Sequence, residues 1–291
     1  MSRQDTPILV VGGGSRIAGA LVPLLGDAAA YVVRRPSGHA RETIVGDYRS
    51  IPHSVFINAE CVINCVGTPT GSVEHLNRIN FEIPCQLAVA ARDAGVGHFI
   101  HISSFSVYCR ADEIGRATPT APTGDYGRSK LAADEALLAL ESDRFAVTVL
   151  RLPLIYGDDV AGKLAQLLRL WARTRVLPVP TGDVRRAMIG VELSAEVIAR
   201  IATQPVDASK IVFAADPRPF TYADAARARN GKNALRRFPV PRGFADLVER
   251  LAPSVGGRLF ADSRLADDDN LAIRYGLGSR LYHDIAVADL S

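Results

Sequence analysis

Apolar positions along the chain follow two rhythms. "PILVV" (7–11), "AYVV" (30–33), "TIVG" (43–46), "CVINCVG" (61–67), "HFIHISS" (98–104) and "AVTVLRL" (146–152) are compact apolar runs between turn-forming residues. Each predicts a strand. The segments between them carry a helical period, clearest at 16–25, 73–95 and 126–140. Over 73–95, Leu76, Ile79, Ile83, Leu87 and Ala90 recur on one face. Strand–helix alternation of this kind predicts an α/β fold, a doubly wound parallel sheet covered on both faces, with ligands at the carboxyl ends of the strands. After Pro153 the rhythm loosens and prolines cluster at 178, 180, 217, 219, 239, 241 and 253. "KIVFAAD" (210–216) reads as one more strand returning to the sheet. The expected division is a sheet domain of residues 1–155 with about 187–216, and a smaller C-terminal lobe of about 156–186 with 217–291.

Composition narrows the classes. The 291 residues are 48% hydrophobic and 22% charged, with a net charge of +3. That balance gives no general attraction to nucleic acid or to an anionic membrane. "MSRQDTP" at the start lacks the apolar core of a signal peptide. No stretch supplies the ~20 apolar residues of a membrane span. Cys61, Cys65, Cys85 and Cys109 form no CxxC pair and suit a reducing cytoplasm. The six histidines lack HxxxH or HxH spacing, so no metal is expected. Lysine occurs only at 130, 163, 210 and 232.

"GGGSRIAG" (12–19) follows the first strand and opens a helix. A glycine turn at a helix N-terminus offers backbone N–H groups and a positive dipole end to a phosphate. Gly12, Gly13 and Gly14 allow the tight turn. Three glycines also suit an ordinary strand-to-helix turn, so later residues carry the decision. The second strand ends in "VVRRPSG" (32–38). Dinucleotide folds usually place an acidic residue there for the ribose 2′-hydroxyl. Arg34 and Arg35 stand instead, and Arg16 opens the first helix. Guanidinium groups there match a 2′-phosphate, favouring NADP(H) over NAD(H).

"DYGRSKLAADEAL" (125–137) carries the sharpest signal. Tyr126 and Lys130 are four apart and share a helix face. An ammonium beside a phenol stabilises the phenolate, preparing Tyr126 for acid–base work. Upstream, "FIHISSFSVYCR" (99–110) ends its strand in Ser103 and Ser104. A hydroxyl there completes a Ser–Tyr–Lys set with Tyr126 and Lys130.

With these motifs in place, the chain resembles the extended short-chain dehydrogenase/reductases of the NAD(P)-dependent sugar-nucleotide epimerase/dehydratase superfamily. The likeness runs from "ILVVGGGSRIAG" through "GDYRS", "CVINCVG", "NRINFEIPCQLAVAARDAGVGHFIHISSFSVY" and "YGRSK" to "LRLPLIYGDD" and "RRAMIGVEL". The resemblance implies a Rossmann lobe and a smaller substrate lobe. It implies that Tyr126 is the catalytic acid/base, that Lys130 binds the nicotinamide ribose, and that Ser104 takes the catalytic serine or threonine position. Gly12, Ser15 and Ala18 fall on the three loop-glycine positions, with Gly14, Arg16 and Ile17 between them. Asp47, followed by Tyr48, matches the residue that reads the adenine amino group. Val66 and Gly67 match the segment lining the adenosine ribose. Asn80 matches a structural asparagine near the site. Pro153 matches a proline against the nicotinamide, and Arg186 an arginine that holds a substrate diphosphate. The helices at 73–95 and 126–140 resemble a pair that forms homodimer interfaces.

Two departures matter. Ser15 and Ala18 replace loop glycines, and Phe105 and Ser106 follow Ser104 where the family's dehydratases carry an Asp-Glu pair. Eliminating water needs that extra acid and base. The resemblance therefore points to an NADPH-dependent reductase of a nucleotide-diphospho-4-keto-6-deoxy sugar, with a UDP-linked HexNAc favoured, in surface-polysaccharide synthesis. A nucleotide-sugar 4-epimerase and a non-catalytic NADP-binding protein are the alternatives.

Overall fold

The computed structural model describes residues 7–109, 111–157, 176–180, 184–204, 210–224, 236–240, 262–279 and 281. Seven strands build the central sheet: β1 (Ile8–Val11), β2 (Ala29–Val33), β3 (Glu42–Ile44), β4 (Cys61–Asn64), β5 (His98–Ser104), β6 (Ala146–Leu152) and β7 (Ile211–Phe213). Their order is β7-β6-β5-β4-β1-β2-β3, and every neighbouring pair is parallel. All four residues of β1 and of β4 are buried, as expected of parallel strands covered on both faces. The chain leaves β1 toward β2 and β3, then returns to lay β4 on the other side of β1. The crevice at the carboxyl ends of β1 and β4 is thus the switch point of the sheet, where this architecture binds its ligands.

One core cluster joins Leu9, Val11, Val32, Val62, Phe99, Val147 and Val149 from the sheet to Ile83, Leu87, Ala88, Ala91, Ala133 and Leu137 from helices. Those helices are α3 (Ile83–Asp93) and α4 (Asp125–Leu138). The helix α1 (Arg16–Leu25) buries Ala18, Leu21 and Leu25, and α5 (Val191–Thr203) buries Val197, Ile198 and Ile201.

The helix expected over 73–95 is not one regular helix. It starts as α2 (Val73–Asn77), passes through a π turn at Arg78–Glu82, and continues as α3. The Ile83 N–H reaches back five residues to the Arg78 carbonyl. That extra residue per turn bulges the helix and fixes where Asn80 points, as the site requires.

The chain divides into two compact units. The first holds residues 1–109, 118–152 and 194–214, and the second holds 110–117, 153–193 and 215–291. The short segment 110–117 therefore groups with the second unit rather than with residues 1–155, because Glu113–Ile114 pairs with Arg264–Leu265. Where the sequence pattern loosened, the second unit uses short strand pairs: Leu154–Tyr156 beside Met188–Gly190, Arg185–Arg186 beside Phe220–Thr221, and Val176–Pro180 beside Arg236–Val240. Among the described residues, no helix is long and apolar enough to cross a membrane.

Candidate active site

The loop after β1 is shaped by backbone contact. Gly12 has φ of +88°, and a Cβ there would sit 2.9 Å from the Cys65 carbonyl carbon and from the Val66 nitrogen. Only glycine meets both demands. Gly12 and Gly13 N–H groups both donate to the Val32 carbonyl, and Ser15 N–H donates to the Gly12 carbonyl. Ser15 is the N-cap of α1, with its Oγ accepting from the Ala18 N–H at 3.2 Å. The serine at a loop-glycine position is thus a capping residue. Ala18 is fully buried, so a small side chain serves the close approach of α1 to the sheet. Arg16 and Ile17 occupy the first two helical positions, whose N–H groups have no intrahelical acceptor. Gly14 and Arg16 are exposed beside them. This cradle fits a dinucleotide phosphate.

The loop after β2 is pinned at several points. The Glu42 carboxylate accepts from the Ser37 and His39 N–H groups, each at 3.0 Å, and His39 Nε2 donates to the Gly13 carbonyl at 2.8 Å. Arg34 lies with its guanidinium carbon 5.5 Å from the Tyr48 ring centroid, a cation–π arrangement. Arg34 and Arg35 are exposed. Burial raises the Tyr48 phenol pKa, and the Arg34 charge opposes that. Asp47 accepts from the Arg49 backbone N–H at 2.9 Å and from the Arg49 guanidinium at 2.6 Å. Arg49 pulls its carboxyl down to about 2. Asp47 is therefore ionised and already engaged. Val66 is buried at the end of β4 and Gly67 is exposed.

Asn80, in the π turn, ties this edge together. Its Oδ1 accepts from the Thr68 N–H at 2.8 Å, and its Nδ2 donates to the Thr68 carbonyl at 2.9 Å and to Ser129 Oγ at 3.1 Å. One buried amide thereby fixes the loop after β4 to α4. Ser129 Oγ in turn donates to the Tyr126 carbonyl at 2.9 Å.

On α4, Gly127 brings the helix onto the turn that follows Ser104. A Cβ on Gly127 would overlap the Ser106 carbonyl. Ser104 caps that turn: its Oγ accepts from the Ser106 N–H at 3.1 Å. Tyr126, next to Gly127, and Ser104 are both half-buried, whereas Lys130 is only 3% exposed. Lys130 Nζ donates to the Ile102 carbonyl at 2.6 Å and lies 3.2 Å from His101 Nε2. Burial pushes the Lys130 ammonium down to about 8, and the Asp134 carboxylate opposes the shift.

Behind Lys130 stands a polar cluster that motif spacing did not flag. Asn64 pairs His101 in register, and Ser103 pairs Arg151, so all four share the sheet face that α4 covers. Asn64 Nδ2 lies 3.0 Å from His101 Nδ1. Arg151 donates through Nε to Asp134 Oδ2 at 2.9 Å and through Nη1 to Tyr108 Oη at 2.7 Å. Asp134 is one helical turn after Lys130, a spacing that marks a shared face. Burial raises the Asp134 pKa and the Arg151 charge opposes it. Burial and the Lys130 charge hold His101 well below its ordinary value.

A known family matches this arrangement. The sequence profile of the NAD dependent epimerase/dehydratase family matches residues 8–214. The chain belongs to this family. It is an enzyme family of the extended short-chain dehydrogenase/reductase type, and its oxidoreductase and epimerase members use a nicotinamide dinucleotide. The chain is 30% identical over 185 residues to a UDP-glucose 4-epimerase of Vibrio cholerae, covering 57% of this chain and 56% of that protein. It is 32% identical over 157 residues to a dTDP-4-dehydrorhamnose reductase of Mycolicibacterium smegmatis, covering 46% and 45%. The chain thus spans about half the length of these curated relatives. MoeE5, solved with UDP-glucuronic acid and NAD, shares the fold with a TM-score of 0.75 over 97% of each chain, at 19% identity.

Two assigned residues lie in the second unit. Pro153 begins its second segment. Arg186 is half-buried, pairs Phe220 across an antiparallel bridge, and opposes the upward pKa shift that burial imposes on Tyr222. A cavity of about 390 Å³ in this unit is lined by Arg185, Asp216, Arg264 and Asn270 among others, but not by Arg186. Among the described residues, no group of His, Cys, Asp and Glu could hold a metal ion.

Proposed function

We propose that the protein uses NADPH to reduce the C4 carbonyl of a nucleotide-diphospho-4-keto-6-deoxy sugar, with a UDP-linked HexNAc favoured, in surface-polysaccharide synthesis. The observation that carries this reading is Arg34 at the carboxyl end of β2, stacked on Tyr48 with Arg35 beside it. A ribose 2′-phosphate suits that charge, and a phosphorylated dinucleotide suits a reductase that exchanges its cofactor each turnover. Phe105 and Ser106 after Ser104 supply neither an acid nor a base for dehydration. Kinship with a dTDP-4-dehydrorhamnose reductase supports the same reading.

The bound cofactor supplies a hydride to the carbonyl carbon. Tyr126 gives its proton to the carbonyl oxygen as that oxygen becomes an alkoxide. The Ser104 hydroxyl donates to the same oxygen, and a protonated Lys130 stabilises the phenolate left behind. Arg186 holds the substrate diphosphate and so orients the sugar. The test is NADPH oxidation with a UDP-linked 4-keto-6-deoxy-HexNAc. Absence of turnover, alongside an active control reductase, refutes the substrate assignment.

Kinship with a UDP-glucose 4-epimerase favours a second reading, a nucleotide-sugar 4-epimerase. Identifying the dinucleotide released from purified protein separates the two: stoichiometric, tightly held NAD(H) means epimerisation. The proposed assembly is a cytoplasmic homodimer through the helical segments 73–95 and 126–140. All four cysteines are free, which suits a reducing compartment. Light scattering that finds only monomer refutes the dimer.

A further inference from the structure

The buried cluster behind Lys130 fixes its own proton positions. The Val66 backbone N–H donates to Asn64 Oδ1 at 3.0 Å, which sets the amide's orientation. The other end, Nδ2, is therefore the group 3.0 Å from His101 Nδ1, and it donates. A neutral imidazole that accepts at Nδ1 carries its proton on Nε2. That Nε2 lies 3.2 Å from Lys130 Nζ and 3.9 Å from Asp134 Oδ1. An ammonium has only donors, so it would oppose N–H to N–H here. A neutral amine accepts from Nε2 through its lone pair and still donates to the Ile102 carbonyl at 2.6 Å.

The charge count agrees. The groups around Lys130 are His101 and the Ile102 carbonyl from β5 and Asp134 from α4, with Asn64 of β4 behind His101, Arg151 of β6 behind Asp134, and Tyr126 one helical turn earlier on α4. The Ser103 hydroxyl lies beside Asp134. Asp134 and Arg151 already neutralise each other, both nearly free of solvent. A charged Lys130 would add a buried cation without its own counter-charge.

We propose that His101 is a positioning residue that holds Lys130 as a neutral amine in the resting protein at mildly alkaline pH, so that dinucleotide binding there loads a proton onto Lys130. The inference rests on the reading that this site binds a nicotinamide dinucleotide, whose phosphates and ribose hydroxyls favour an ammonium. When Lys130 turns toward the cofactor, Asp134 Oδ1 receives the freed Nε2–H. That oxygen is buried, and the Ser103 hydroxyl is the other donor at the same carboxylate. Burial lowering the lysine to about 8 works in the same direction.

The test begins on the cofactor-free wild-type protein. Nitrogen-15 NMR reads the His101 tautomer, and carbon-13 labelling at lysine Cε reads four signals, one per lysine, with Lys130→Arg identifying its own. The Nε2–H tautomer and a Lys130 midpoint at or below about 8 are expected. Calorimetry at a pH one unit higher, in two buffers of different ionisation heat, should show uptake of ~1 proton per NADPH bound. His101→Met removes the donor and raises the Lys130 midpoint by about one unit. Asn64→Asp draws the proton to Nδ1 and raises it as well. An Nδ1–H tautomer in the wild type, or a Lys130 that stays charged to its ordinary value of 10.5, overturns the inference. Binding heat without proton uptake also overturns it. No binding heat with either NADPH or NADH instead refutes the dinucleotide reading.

Discussion

Replacing Gly127 with alanine sets two opposing effects against each other. Alanine in a helix interior normally gains about 1 kcal/mol over glycine, and less in the first turn, where Gly127 stands. At Gly127 the added methyl would overlap the Ser106 carbonyl and come within 2.9 Å of Pro122 Cβ. Neither neighbour yields cheaply. The Ser106 group is backbone, and its own N–H is held by Ser104 Oγ at 3.1 Å. Overpacking of this sort costs about 1–3 kcal/mol, and a clash with backbone belongs at the top of that range. After the propensity gain is subtracted, Gly127→Ala should lose roughly 1–2 kcal/mol. Gly19 is the matched control: it lies in α1, is exposed, and a Cβ there would meet nothing within 4 Å. Gly19→Ala should gain about 0.5–1 kcal/mol. Urea unfolding of the cofactor-free proteins measures both, read as midpoint shifts at unchanged slope. If Gly127→Ala proves as stable as Gly19→Ala, α4 does not rest on the Ser104 turn as described. Activity gives a second readout. Relief of the clash must move Tyr126 relative to Ser104, and misplacement of a reacting group by ~1 Å costs about 10²-fold in rate.

Three further outcomes follow from the same geometry. The pKa of Lys130 in the folded chain, about 8, lies below its ordinary 10.5, so the unfolded chain binds more protons between those values and native stability rises with pH across that window. The stability difference favouring Lys130→Met should therefore shrink by about 3 kcal/mol as pH climbs through this interval, and a flat difference in urea titrations refutes the shift. Replacing Arg16 and Arg34 with alanine should raise the KM for NADPH far more than for NADH, and an equal effect on both removes them from 2′-phosphate recognition. Tyr126→Phe should abolish turnover while cofactor binding, followed by fluorescence, persists; surviving turnover removes Tyr126 from the proton step.

The sheet was legible because its strands are short apolar runs that end in glycine, serine, proline or a charged turn. Seven such runs were readable, including the distant return at β7. The Tyr126–Lys130 pair was legible because four-residue spacing has one meaning on a helix. The His101 cluster was not, since its members come from β4, β5, β6 and α4 and have no common spacing. A signal did exist. In β5, Phe99, His101 and Ser103 alternate onto one face, and in β6 Val147, Val149 and Arg151 do the same. Each inward stripe turns polar at its carboxyl end, which places the change beside the site. The π turn left no mark on the apolar period, because Leu76 and Ile83 are buried on either side of it. Ser15 looked like a weakened glycine until its capping bond to Ala18 gave it a purpose.

The π turn has a consequence for how this helix can change over time. It holds one residue more than a regular turn, and each helical residue turns the chain by about 100°. Deleting a residue from Arg78–Glu82 would leave a continuous helix, with Ile83 and Leu87 still seated in the core. Asn80 would swing away from Thr68 and Ser129. A single-codon loss here could therefore keep a folded chain while unfastening its chemistry, which makes this turn a place where lineages with the same scaffold can part in function.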